Sequence, residues 1–326
     1  MEPSLFRADT AFFPPIARPR ASGHLRVAPP HEIWWEETGP EDGWPVLILH
    51  GGPGGRIKPY YRRLIDPRRW RGIFFDQRGC GNSRPFGELE GNDTGSLVAD
   101  MEALRQSRGV ERWTVVGGSW GSSLALAYAE AHPGRVAGLV LSGVFLCRPE
   151  DIDWSWQGAR RIFPEVYAAR DAFLPPAERA DPRAAFRRRI LDPDPRVHKP
   201  AAAVLGHAES QTLDLLAPSP PDDPEALDEE AAAYARIMAW YDAHDFFLAE
   251  NQLLERAGAL APISGAIVAG RSDMCTPPKG AWDLARVWPQ ARLTFAPAAG
   301  HRWNDEALGR VLVAEIDRIA SLASAG

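Results

Sequence analysis

Four short runs of apolar, β-branched or aromatic residues punctuate the first half of the chain: PVLILH (45–50), GIFFD (72–76), WTVVG (113–117) and GLVLSGVF (138–145). None alternates with polar positions, so each predicts a strand buried on both faces. Stretches with helical spacing, TGSLVADMEALRQSRGV and SSLALAYAEAHPGRV, lie between the last three. Strands alternating with helices predict a mostly parallel sheet with crossover helices. The pattern returns near the C-terminus, where ISGAIVAG (263–270) and ARLTFAPA (291–298) flank the helical GAWDLARVW.

From about 146 to 262 the texture changes to Pro, Asp, Arg and Ala with helical periodicity and no strand pattern. This predicts an inserted helical domain (146–262) between two parts of one α/β core, 1–145 and 263–326. Within it, LLAPSPPDDPEALDEE (215–230) reads as a mobile, proline-rich acidic surface connection. No internal repeat is visible.

Composition narrows the class. The 326 residues are 45% hydrophobic and 25% charged, an ordinary globular mixture. A net charge of −6 disfavours nucleic acid as a partner, and the basic clusters YYRRLIDPRRWR (60–71) and FRRRI (186–190) read as solvated faces. No apolar run has the length of a bilayer span, and the first twenty residues lack a signal-peptide pattern, so no membrane partner and a cytoplasmic location are expected. Cys80, Cys147 and Cys275 are far apart and in no C-x-x-C spacing, which predicts buried thiols rather than disulfides or a zinc site. No metal or organic cofactor is implied, and oligomeric state is not encoded in any visible pattern.

The candidate chemistry sits where a strand becomes a helix. Gly117, Gly118, Ser119, Trp120 and Gly121 fit G-x-S-x-G in that context, which predicts a sharp turn presenting the Ser119 hydroxyl over the sheet edge. A serine hydroxyl needs a base and a group that orients the base. Asp273 follows one strand run and His301 the next, and the order Ser119, Asp273, His301 is that of the α/β-hydrolase fold. The remaining histidines, His50 and His132 among them, read as structural or surface residues. HGGPGG (50–55) offers unobstructed backbone N–H groups, so Gly52, with Gly51 as the fallback, and Trp120 are the expected oxyanion donors.

With these segments assembled, the chain resembles the proline iminopeptidase (prolyl aminopeptidase) family of α/β-hydrolases, serine peptidase family S33. HGGPGG, DQRGCGNS, LVADMEALR, GGSWGSSLALAYAEAHP, GRSDMCTPPKGAWDLARVWP and AGH carry the resemblance, in the family's order. It covers the core and fades in the insertion. It implies an α/β-hydrolase fold with a helical cap and release of an N-terminal proline from a short peptide or small-molecule substrate. Ser119 would attack, His301 transfer the proton and Asp273 orient His301, with cap glutamates binding the substrate's imino group and aromatic residues enclosing the pyrrolidine ring.

The cap departs from the family pattern. One glutamate position aligns with Met238 and a histidine position with Trp240 in ARIMAWYDAHDFF. The other glutamate survives as Glu209, but its flanking tryptophans are replaced by Leu205 and Ala208. Glu209, Trp240 and Tyr241 are the expected substrate-binding residues, and Asp242, Asp245 or Glu250 the candidates for the missing acid. The loss motivates a second reading, an esterase or amidase acting on a non-peptide small molecule. A non-catalytic binding protein fits poorly with a full set of triad candidates. Dehalogenase and epoxide hydrolase chemistry requires a carboxylate where this chain has Ser119.

Overall fold

The computed structural model describes residues 13–213, 215 and 228–325, so the acidic segment at 215–230 falls largely outside them. Every apolar run named above forms a strand: β3 (Trp44–Leu49), β4 (Trp70–Phe75), β5 (Trp113–Ser119), β6 (Val136–Val144), β7 (Ser264–Gly270) and β8 (Ala291–Ala296). Two further strands, β1 (Ala21–Arg26) and β2 (Glu32–Thr38), precede them. They are partly exposed and carry charged residues, so no continuous apolar run announces them.

All eight strands form one sheet in the order β1-β2-β4-β3-β5-β6-β7-β8. β1 and β2 add antiparallel to the edge, and every pairing from β4 to β8 is parallel. The pleat sends alternate side chains to opposite faces. Leu47, Leu49, Val115, Leu139 and Ile267 lie on one face, beneath α1 (Thr94–Ser107), α2 (Trp120–Ala131) and α9 (Pro278–Val287). Val46, Ile48, Val116, Val140 and Val268 lie on the other, beneath the C-terminal helix α10 (Glu306–Ala325), which packs through Leu308, Leu312, Ile316 and Ile319. α1 begins where the Asp93 carboxylate accepts from the Ser96 N–H at 2.7 Å, and it buries Leu97, Met101 and Leu104.

Between β6 and β7 the described residues are helical. α3 (Pro149–Trp156), α4 (Pro164–Ala172), α5 (Pro182–Ile190), α6 (Pro195–Ser210), α7 (Glu229–Ala243) and α8 (Gln252–Glu255) follow in order. Leu174, Phe186, Ile190, Ala201 and Ala239 give this segment a small core of its own. It is fastened over the C-terminal sheet edge by polar ties: Trp154 Nε1 donates to the Met274 carbonyl at 2.7 Å, and Trp240 Nε1 to the Asn92 carbonyl at 2.9 Å.

The loop after β4 is held from beneath. Arg78 and Asp100 form a two-pronged pair at 2.6 and 2.7 Å, with side-chain exposures of 3% and 2%. Asp100→Ala leaves that guanidinium buried without its carboxylate and is expected to cost about 3–5 kcal/mol. Urea unfolding monitored by circular dichroism checks this, and a loss under about 1 kcal/mol would mean that the loop is anchored by something else.

Candidate active site

The site begins with a backbone bend. Ser119 closes β5 and precedes α2 with φ 56° and ψ −132°, a region that costs a residue with a side chain of order 1–3 kcal/mol. Neighbouring glycines make the bend possible. A Cβ on Gly117 would run into the Gly121 carbonyl, and one on Gly121 would stand 2.9 Å from the carbonyl oxygens of both Leu49 and His50. The turn therefore sits directly against the end of β3. The Ser122 hydroxyl fixes it from inside, donating to the Ser119 carbonyl at 2.6 Å and accepting from the Phe145 N–H at 3.1 Å.

Asp273 and His301 arrive from the loops after β7 and β8. The Asp273 Oδ2 lies 2.8 Å from His301 Nδ1, while its Oδ1 accepts from the N–H groups of Cys275 and Thr276 at 3.0 and 2.8 Å. The Thr276 hydroxyl donates to Asp273 Oδ2 at 2.9 Å and stands 3.1 Å from His301 Nδ1. A carboxylate so completely bonded cannot turn, so the imidazole edge it receives is set. Gly143 backs the ring: a Cβ there would be 3.0 Å from His301 Cε1. Burial pushes the His301 pKa down, but the charge and hydrogen bond of Asp273 outweigh it and leave the group above its ordinary 6.5.

The expected oxyanion residues adjoin the serine. Gly52 and Ser119 line one cavity, and a Cβ on Gly51 would stand 3.2 Å from Ser119 Cβ. His50, read from the sequence as structural, is fully buried, and desolvation lowers its pKa to about 4. Its Nε2 accepts from the Gln77 N–H at 3.0 Å, so the remaining proton is on Nδ1 and is donated to the Gly51 carbonyl at 2.8 Å. Across a trans peptide the N–H opposes the C=O, so this bond turns the Gly52 N–H away from His50. The Gln77 side chain donates to the His50 carbonyl at 3.0 Å and accepts from Trp120 Nε1 at 2.9 Å. One amide thus ties the His50 carbonyl, where the glycine turn begins, to the Trp120 ring.

The cavity continues beneath the helical segment. Phe145, Phe246 and Met238 supply apolar wall, and Glu209 supplies a carboxylate whose one hydrogen-bond donor among the described residues is the Tyr234 hydroxyl at 3.1 Å. Burial raises the Glu209 pKa and the Tyr234 bond opposes that rise. Leu205 and Ala208 line the cavity beside it. Cys275 does too, and burial holds its thiol well above the ordinary range.

Trp240 and Tyr241 require correction, because α7 turns them away from the cavity. The Tyr241 ring is fully buried, packing on Trp120 at 5.0 Å with its hydroxyl on Asn92 at 3.0 Å, and Trp240 lies against His244 and Phe247. Helical spacing instead delivers Met238, Ala239 and Asp242. Asp242 does reach the wall, but Arg183 Nε holds both its oxygens at 3.2 and 3.1 Å, so its charge is already matched. Asp245 and Glu250 are exposed and do not line the cavity. Thr276 and Gln77 escaped the sequence reading, the first masked by its place in a turn and the second by lying in a segment remote from the serine. Among the described residues no group of three or more His, Cys, Asp or Glu is placed to hold a metal ion, and no helix is long and apolar enough to cross a membrane.

Comparison with known proteins gives the site a lineage. Residues 45–307 match the family model described as alpha/beta hydrolase fold. A probable proline iminopeptidase of Leptolyngbya boryana is 41% identical over 311 residues, spanning 95% of this chain and 97% of that protein. A proline iminopeptidase of Xylella fastidiosa (strain Temecula1) is 43% identical over 289 residues, spanning 88% and 92%. The crystal structure of VinJ superposes with a TM-score of 0.63 at 20% identity, covering 94% of this chain and 100% of that one, a likeness of fold alone.

A base must be neutral to accept a proton, so kcat/KM is expected to fall as pH drops through a value above 6.5. Asp273→Asn removes the two largest interactions that raise the His301 pKa and leaves burial opposed only by the weaker pull of Glu209, which moves this limb to lower pH while kcat falls on the order of 10⁴-fold. A pH profile whose limb stays in place in the variant would separate Asp273 from the titrating group.

Proposed function

Because the chain belongs to the proline iminopeptidase family of α/β-hydrolases, we propose that Ser119, His301 and Asp273 are the machinery with which it releases N-terminal proline from short peptides. The observation that carries the residue assignment is the Asp273–His301–Thr276 cluster at the same sheet edge as the strained Ser119 turn. The relatives, close to 40% identical over most of the chain and called proline iminopeptidases, favour this substrate over the esterase or amidase suggested by Met238. Short peptides are the partner so implied, and we place the reaction in the cytoplasm, in keeping with its three unpaired cysteines.

In this reading Ser119 Oγ attacks the proline carbonyl carbon while His301 takes its proton. Negative charge develops on the carbonyl oxygen and is met by the N–H groups of Trp120 and Gly52. The C–N bond then breaks, His301 protonates the leaving amine, and the acyl-enzyme remains. Water, deprotonated by His301, attacks the ester and frees proline and Ser119. The helical segment 146–262 serves as the cap. Its Glu209 accepts from the imino group, which an acylated proline cannot offer, so the same carboxylate confines cleavage to a free N-terminus.

Purified protein should release arylamine from a Pro-arylamide and none from its N-acylated form, with a short-chain ester turned over poorly. Ser119→Ala should abolish release, and Glu209→Gln should reduce kcat/KM about ten- to hundredfold. Good ester turnover with negligible Pro-arylamide turnover would overturn the reading.

Gln77→Leu should loosen both oxyanion donors and lower kcat on the order of 10²-fold with little change in KM, since the oxyanion exists only past the ground state. An equal rise in KM with kcat preserved would remove Gln77 from this role.

A further inference from the structure

The arginine run at 187–189 reads from the sequence as a solvated basic face, and two of its members behave that way. Arg188 and Arg189 both pair with Glu178, at 3.2 and 3.0 Å. Arg187 does not join them. It is half-buried and lines the same cavity as Ser119 and Glu209, and no carboxylate or carbonyl among the described residues holds its guanidinium.

The other charges of the cavity wall are matched. Arg170 is held by Asp171 at 2.8 Å and by the Trp156 carbonyl at 3.2 Å, and Asp242 is neutralised by Arg183. Two charges are left facing the space without a protein counterion: the Glu209 carboxylate, which takes a neutral hydroxyl, and the Arg187 guanidinium. They are opposite in sign. In a cavity walled by Phe145, Ile152, Ile190 and Phe246, each is less well solvated than in bulk water, so a ligand with complementary charges gains at both ends. The space amounts to about 1020 Å³ counting the part open to solvent, which accommodates more than a single proline.

We propose that Arg187 binds a carboxylate of the substrate, so that the preferred substrate is a free short peptide with its imino group at Glu209 and a carboxylate at Arg187. The proposal rests on the assignment of Ser119 and Glu209 made above. A guanidinium presents two parallel N–H donors that fit the two oxygens of a carboxylate, and an exopeptidase so equipped recognises its substrate from both sides of the scissile bond. The carboxylate is either the C-terminus of a di- or tripeptide or the side chain of an acidic residue after proline.

Steady-state kcat/KM for Pro-Ala, Pro-Ala-amide and Pro-Glu-amide, in wild type, Arg187→Met and Arg187→Lys, tests this. Ratios within each variant cancel any general loss of activity, and urea midpoints check folding. Wild type should prefer Pro-Ala over its amide about ten- to hundredfold, Arg187→Met should bring that ratio close to one, and Arg187→Lys should retain part of it. A preference for Pro-Glu-amide over Pro-Ala-amide, lost in Arg187→Met, assigns the carboxylate to the side chain. Flat ratios in wild type, or ratios unchanged in Arg187→Met, overturn the role of Arg187 while leaving proline release intact. No release from Pro-arylamide by wild type overturns the aminopeptidase reading and this one with it.

Discussion

The backbone of α2 at Gly121 approaches the carbonyls of Leu49 and His50 so closely that a methyl group would stand 2.9 Å from each, and the site is arranged around that contact. With the two chains pressed together, the β5–α2 bend has no room to relax, and Ser119 is held at φ 56°. The same closeness brings Gly51 beside Ser119 and lets Gln77 reach both His50 and Trp120. Strain at one residue is sustained by packing and hydrogen bonds at several others, which is how such conformations persist in folded proteins.

A second principle organises the polar groups. Asp273 is saturated with four donors, and His50 is locked as a neutral imidazole by an N–H on one side and a carbonyl on the other. Neither has freedom to reorient, which suits groups that hold others in place. Glu209 and Arg187 contrast with them: each faces the cavity short of partners, which suits groups that wait for a ligand. Completeness of hydrogen bonding thus separates residues whose orientation is fixed from those left open to a ligand.

The six parallel strands, five of them largely buried, and the bend at Ser119 were legible in the sequence because each depends on local chemistry. Continuous apolar runs demand burial on both faces, and glycines around a serine between strand and helix patterns leave few other conformations. β1, β2 and α10 were not read. The first two interleave charged residues with apolar ones at the antiparallel end of the sheet, and the third follows the last motif. Met238 and Glu209 of the helical segment line the cavity, whereas Tyr241, a neighbour of Met238 on α7, is buried against Trp120 and Trp240 lies against His244 and Phe247.

The sequence by itself determined the parallel strands, the sharp turn at Ser119 and the hydrolase class, since these follow from periodicity and from residue types at fixed short spacings. Only the tertiary structure decided which face of α7 lines the cavity, that Arg183 already occupies Asp242, that Thr276 bonds Asp273 and Gln77 bonds His50 and Trp120, and that Arg187 stands apart from its paired neighbours. Those facts depend on how helices rotate and pack across long stretches of chain. The rotation is fixed by contacts such as Tyr241 against Trp120, between residues more than a hundred positions apart, and no local pattern carries that information.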